Sequence, residues 1–477
     1  MHQREYSAED ASSLADLIHS GQVSRQEVEA AARSAIAAVN PAINAVVGNL
    51  FDRPLDAAGD GPFAGVPFLV KDLVAHAGGV THEMGSRLAR GLAFPHDSVL
   101  MSRFRGAGLA ILGRTNTPEM GCNATTEPIA NGATRNPWDL SRSPGGSSGG
   151  SAALVAAGAV PFAHANDGGG SIRVPAASCG LVGLKPTRGR VAIGPDGDCP
   201  IGGMGIEFAV SRTVRDSAAL LDAVHGSAPG ELFWLAPPAR PYRDEIGSPV
   251  ERLRVAWSVA PPNGFPVHAE LIAAVEAVAK LLTEMGHSVR AEDPPVPREA
   301  LTHAVTTYFA AFAGHGLGQL SAALGRPLNL DTVEATTLAL YHHAQRLTAS
   351  DVMQADANRN AVNRTVGAWF EAVDLLVTPT NAEPAWPLGW MNADDRTLDG
   401  PAWLERVFTK VPFTALFNLT GQPAISLPLA ESSEGLPLGI QLVARYGRED
   451  LLLRVAAALE EAMPWRQRRP RIHVANF

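Results

Sequence analysis

Lysine is almost missing from this chain. Of its 39 lysine and arginine residues only four are lysine: Lys71, Lys185, Lys280 and Lys410. A lysine is therefore a rare choice here, and Lys71 and Lys185 both lie in apolar surroundings. Cysteine is scarce too. Cys122, Cys179 and Cys199 are an odd number with no short-spaced pair, which argues against a disulfide framework and a zinc ribbon. Each is expected to be a small buried apolar residue. No run of about 18 apolar residues occurs, so no membrane-spanning helix is expected. The start, MHQREYSAEDASSL, has neither the basic nor the apolar segment of a secretory signal, and a cytoplasmic location is the expectation. Positive charge is in deficit: the net charge is −9, and no Lys/Arg cluster offsets it, so nucleic acid is not an expected partner. The 14 histidines include His342 and His343 side by side but no HExxH spacing, so no metal and no cofactor are expected.

What is present is a large apolar fraction. Hydrophobic residues make up 46% of the 477 and charged residues 18%, enough for a sizeable core. Residues 7–38 carry helical apolar spacing, with Ser7 and Ser24 as N-caps. The run 61–75 reads as a buried strand behind glycine and proline. Helix and strand signals then alternate through 96–116, 151–167, 214–226, 252–259, 268–290 and 370–380. Two closing strands, 422–430 and 436–445, form a hairpin before a last helix. This alternation predicts an α/β fold, a large mixed and mainly parallel sheet covered by helices on both faces. With no repeat and no linker, residues 1–477 read as one domain. It has a helical N-terminal arm over about 1–50 and an inserted helical region over about 295–370.

Glycine and serine cluster at two points, PGGSSGGS at 144–151 and DGGGSIR at 167–173. Glycines let the chain curl and let a substrate approach backbone amides. Converging N–H groups beside a hydroxyl suit acyl transfer, in which the hydroxyl attacks a carbonyl and the amides hold the oxyanion. Such a serine needs a base. A lysine serves when burial leaves its amine neutral. Lys71 sits in the apolar run VPFLVKDL, although strand alternation by itself leaves open whether it points inward. GSSGG at 146–150 also fits the G-x-S-x-G elbow of α/β-hydrolases, but that pattern does not account for DGGGSIR. GLVGLKPT at 180–187 fails the P-loop spacing.

Residues 145–187 together with GVPFLVKD at 65–72 resemble the amidase signature family. GATRNPWDLSRSPGGSSGG and the C-terminal VPFTALFNLTGQPAISLPLA and GLPLGIQLVARYGRED are similar to it as well, so the likeness covers most of the chain. The 24-residue separation between Ser147 and Ser171 is the family's spacing. The resemblance implies an amide hydrolase without cofactor and a triad of Lys71, Ser147 and Ser171. Ser171 is then the nucleophile, and Ser147 is the bridge, joined to Gly146 by a cis peptide. Gly168, Gly169 and Gly170 would offer the oxyanion amides, and Ser148, Asp167 and Arg173 would support them. The family commonly has Thr or Ser before that aspartate and Thr or Ile after it. Here Asn166 and Gly168 stand there, which leaves the rigidity of the loop open. Another member class, the glutaminase component of the tRNA-dependent amidotransferase assembly, continues its signature SIRQP. Val174 replaces that glutamine, which favours free-standing hydrolysis. TNTPEMG, TTEP, KPTRGR and YGREDLLL resemble the branch of the family that hydrolyses the cyclic dimer of 6-aminohexanoate. The expected partners are a small uncharged amide, with esters and carbamates as further substrates, and a second copy of the chain as a homodimer. Specificity is expected from residues 119–130, including Cys122, and from Tyr308 and Phe309. A plain core role is an equal reading for those two rings.

Overall fold

The computed structural model describes residues 1–55, 60–197 and 199–477. Its strands are β1 (Val46–Val47), β2 (Pro67–Lys71), β3 (Ala110–Thr115), β4 (Phe162–Asp167), β5 (Val182–Lys185), β6 (Ile206–Ser211), β7 (Arg254–Trp257), β8 (Ser288–Ala291), β9 (Leu375–Pro379), β10 (Ala424–Glu431) and β11 (Pro437–Ala444). Eight of them form one sheet in the order β4-β6-β5-β10-β11-β9-β7-β8. The sheet is mixed and helix-covered, as the alternation implied, but it is not mainly parallel. Only β7–β8 and β7–β9 pair in parallel, and the other five pairings are antiparallel. Three of these come from the closing hairpin β10–β11 and its flanking partners β5 and β9; the other two come from a crossover. Strands β4 and β5, joined by the helix Arg173–Cys179, run the same way, but β6 inserts between them and pairs antiparallel with both. A helical crossover makes its two strands parallel without making them neighbours.

Adjacent residues of the central strands face two different cores. Leu375 and Val377 join one cluster, with the N-terminal helices and the closing helix Glu449–Ala462. Leu376 joins the other, with the inserted helices Arg298–Leu324, Ala335–Ala344 and Ala349–Trp369. Period-two alternation thus buries both faces of the sheet. No helix of the described residues is long and apolar enough to cross a membrane.

The N-terminal arm holds three helices, Gln3–Ala8, Ala11–His19 and Arg25–Ile43. Ser24 caps the third by accepting from the Glu27 amide, and Glu27 completes a capping box. Ser7 is not a cap. It lies inside the first helix, and Asp10 caps the second by accepting from the Ser13 amide. A carboxylate there also faces the positive end of the helix dipole.

The lysine strand stands apart from the large sheet. β2 pairs in parallel with β3, and β1 closes this three-stranded sheet antiparallel. All five β2 residues are buried, so alternation places neither face in water. Phe68, three residues before Lys71, packs between Phe104 and Phe162 with ring centroids 4.8 and 5.2 Å away. Truncating this fully buried ring (Phe68→Ala) is expected to cost about 3–5 kcal/mol, read as a lower urea midpoint of unfolding.

Candidate active site

Lys71 ends β2 fully buried. Its Nζ donates to Ser147 Oγ at 2.6 Å and to Asn166 Oδ1 at 2.5 Å. β4 supplies the opposing wall. Its alternate residues His164 and Asn166 both meet Lys71, as residues i and i+2 of a strand share a face. The Lys71 backbone N–H donates to His164 Nδ1 at 3.1 Å. The other ring nitrogen, Nε2, then carries the hydrogen and donates to Glu207 Oε2 at 2.7 Å. Asn166 is fixed as well, because its Nδ2 donates to the Leu73 carbonyl at 2.9 Å. That bond turns Oδ1 toward the amine. Burial pulls the Lys71 amine from 10.5 down to about 7, against the opposing pull of Glu207 and Asp167. The uncharged form is therefore accessible near neutrality.

Ser147 follows a cis Gly146–Ser147 peptide. A Cβ on Gly146 would lie 2.4 Å from the Thr125 carbonyl oxygen, so only glycine fits where these two backbones meet. Ser148 Oγ donates to the Asn166 carbonyl at 3.3 Å and accepts from its amide at 3.4 Å. It ties the serine turn to β4.

The second glycine cluster leaves β4 at Asp167. This carboxylate accepts from the amides of Gly170 at 2.6 Å, Ile172 at 3.2 Å and Arg173 at 3.4 Å. Arg173 grips it with two parallel bonds, Nε to Oδ2 and Nη2 to Oδ1, both 2.9 Å. The remaining guanidinium hydrogens reach the Thr414 carbonyl, Gln441 Oε1 and Asn418 Oδ1, so a fully buried charge has all five donors used. Burial by itself would raise the Asp167 carboxyl. The Arg173 charge and its hydrogen bonds outweigh burial, and the carboxyl falls to about 2.

A small cavity, open to solvent on one side, lies beside this loop. Gly146, Gly169, Gly170, Ser171, Cys122 and Phe309 are among its lining residues, and Val174, Leu404, Val407, Phe408 and Val411 complete its apolar wall. The Ser171 side chain makes no hydrogen bond among the described residues, and none links it to Ser147. Two expectations need correction here. The Gly170 amide is spent on Asp167 and is not free for an oxyanion, whereas the Gly169 and Ser171 amides have no partner among the described residues. A Cβ on Gly168 would lie 2.5 Å from the Ile201 side chain. Tyr308 does not line the cavity. Its hydroxyl donates to Asp356 Oδ1 at 2.5 Å and its ring packs over Gly202. Successive helix residues point about 100° apart, so Phe309 and Tyr308 face different neighbours. Cys122 lines the cavity as a neutral thiol, its pKa pushed by burial up to about 12.

Sequence reasoning noticed Asn166 only as an oddity and missed its bond to Lys71. It missed Thr414, which donates to the Gly169 carbonyl at 2.5 Å, and Asn418, which donates to Asp167 at 2.8 Å. Both lie about 250 residues from the loop, inside the family-like stretch VPFTALFNLTGQ, but that stretch alone does not show that they reach the loop.

Comparison with known proteins places the chain. The amidase family model matches residues 27–453. The 6-aminohexanoate-cyclic-dimer hydrolase of Paenarthrobacter ureafaciens is 43% identical over 97% of each chain. The putative amidase AmiC of Mycobacterium tuberculosis is 40% identical over 98% of this chain and 96% of its own. A solved structure of 6-aminohexanoate cyclic dimer hydrolase complexed with substrate superposes with a TM-score of 0.92 at 40% identity, covering 98% of this chain and 99% of that one. The chain therefore belongs to the amidase family, and it is an amide hydrolase with the amidase-signature fold.

Proposed function

We propose that Ser171 is the nucleophile, Ser147 the proton bridge and Lys71 the base of this amide hydrolase. The observation that carries the reading is the buried Lys71 amine, bonded to Ser147 and held near neutrality beside a loop whose free serine faces a cavity. The neutral amine takes the Ser147 proton as Ser147 takes that of Ser171. Ser171 Oγ then bonds to the substrate carbonyl carbon. The Gly169 and Ser171 amides hold the oxygen that gains charge. The C–N bond breaks as the departing nitrogen receives a proton back along the same relay, and water releases the acyl group by the same steps. The relay requires the Ser147–Ser171 bond to close when substrate displaces solvent, as catalytic contacts commonly tighten in the complex.

The cavity wall supports an uncharged substrate. No Asp, Glu, Lys or Arg is among its lining residues, and a buried charge without a partner is costly. The cyclic amide dimer named by the relative in Paenarthrobacter ureafaciens is neutral and falls in this class; esters and carbamates of similar shape present the same carbonyl. Val174, apolar and in the wall, gives a glutamine side chain no polar partner, which disfavours the amidotransferase reading.

Ser171→Ala is expected to lower kcat/KM for a neutral amide by more than about a thousandfold with an unchanged urea midpoint; retention of most of the activity would reassign the nucleophile. The pH profile tests the base. Activity needs the unprotonated amine, so kcat/KM should climb about tenfold per pH unit below about 7 and level off above it. Asn166→Asp places a carboxylate against the amine, favours its charged form and should move the midpoint of the profile upward by about one unit or more. A profile indifferent to this change would separate Lys71 from the rate.

A further inference from the structure

Away from the cavity, three ligand-type side chains from distant parts of the chain converge. His76 follows β2, His96 precedes the helix Val99–Gly106, and Asp196 lies in the loop after the cis Gly194–Pro195 bond. Their side-chain ligand atoms lie within 4.8 Å of one another. His76 Nε2 is 3.2 Å from Asp196 Oδ2, and His96 Nε2 is 3.2 Å from Asp196 Oδ1.

The orientation of His76 is the telling feature. Its Nδ1 bonds the Val74 carbonyl oxygen at 2.8 Å. A carbonyl only accepts, so Nδ1 carries the hydrogen and Nε2 of the neutral ring presents a lone pair. That nitrogen is buried and has no hydrogen-bond partner, yet it faces a carboxylate oxygen. Two acceptors aimed at each other need a positive charge between them, a second ring proton or a metal ion. A ring nitrogen bonded to a backbone carbonyl is also the usual outer support of a metal-bound histidine. The ring cannot turn away: it stacks on Phe94 at 4.0 Å and meets His82 edge-on at 5.7 Å. Val74 holds a left-handed φ of 70°, rare for a β-branched residue, and this bend brings its carbonyl to the histidine.

We propose that His76 Nε2, His96 Nε2 and the Asp196 carboxylate form a binding site for a divalent transition metal of the zinc type. Two imidazoles and one carboxylate select such ions over magnesium or calcium. Metal–ligand bonds of about 2.1 Å at tetrahedral angles set ligand atoms about 3.4 Å apart, close to the two 3.2 Å edges seen here. His96 and Asp196 are half exposed, so water completes the fourth position. The ion ties the loop around Pro195 to the N-terminus of the helix Val99–Gly106, where the Val99 amide already donates to the Gly194 carbonyl at 2.8 Å. A little further along the same stretch, Ile201 packs against Gly168 of the nucleophile loop.

The test uses the full chain stripped of metal, titrated with ZnCl2 by calorimetry and with CoCl2 by visible absorption. The expected result is one saturable equivalent, with cobalt bands of four-coordinate intensity. His96→Ala and Asp196→Asn should each weaken binding by more than about tenfold. Zinc should raise the unfolding temperature of the parent only, while the three stripped proteins unfold alike. Absence of saturable binding, which leaves a protonated His76 paired with Asp196, overturns the proposal. Equal binding by both variants overturns it too.

Discussion

One buried amine, drawn down to about 7 by its loss of water, organises this protein. Lys71 is removed from water by strands β2 and β4 and by the serine turn, and an ammonium there would carry a desolvation cost that the distant carboxylates Glu207 and Asp167 do not offset. The partners that touch Nζ are neutral, a hydroxyl and an amide oxygen. The His164–Glu207 pair holds the backbone of Lys71 without placing its carboxylate in contact with the amine. Around a base of this kind every neighbour must be polar enough to orient it and uncharged enough to leave it neutral. Asn166 meets both demands.

A second constraint keeps the glycine loop before Ser171 in place. Its three glycines would be loose on their own. Asp167 gathers the loop amides, Arg173 neutralises Asp167, and Thr414, Asn418 and Gln441 fix Arg173 and the loop from the far end of the chain. Gly170 has φ 139°, and a Cβ there would strike Thr414 Oγ1 at 2.5 Å, so this position is closed to larger residues. The helix Gly400–Lys410 contributes Leu404, Val407 and Phe408 to the wall opposite Ser171. Glycine loop and apolar wall thus come from distant parts of the sequence and meet at one cavity.

Much of this was legible in the chain itself. A lone lysine in an apolar run, glycines packed around serines and their spacing all concern a few consecutive residues, whose demands are local: a cis-compatible turn, a loop without Cβ atoms, a buried strand. Where sequence reading failed, the deciding contact was remote. Asp10 rather than Ser7 caps a helix, in a setting that includes Arg215. Tyr308 and Phe309 are adjacent in sequence but face different neighbours. The antiparallel bias of the sheet arises where β6 enters between two parallel strands and where the β10–β11 hairpin pairs antiparallel with β5 and β9. The cluster of His76, His96 and Asp196 has no spacing motif, since three separate turns bring it together.

The sequence by itself determined most element types, the candidate residues and the family, because periodicity, turn chemistry and contiguous motifs are properties of neighbours along the chain. Only the tertiary structure decided strand direction in the sheet, which amides remain free beside Ser171, which rings line the cavity and how far the Lys71 amine is drawn toward neutrality. Those depend on burial and on contacts between residues hundreds of positions apart, and no local pattern encodes the dielectric that results.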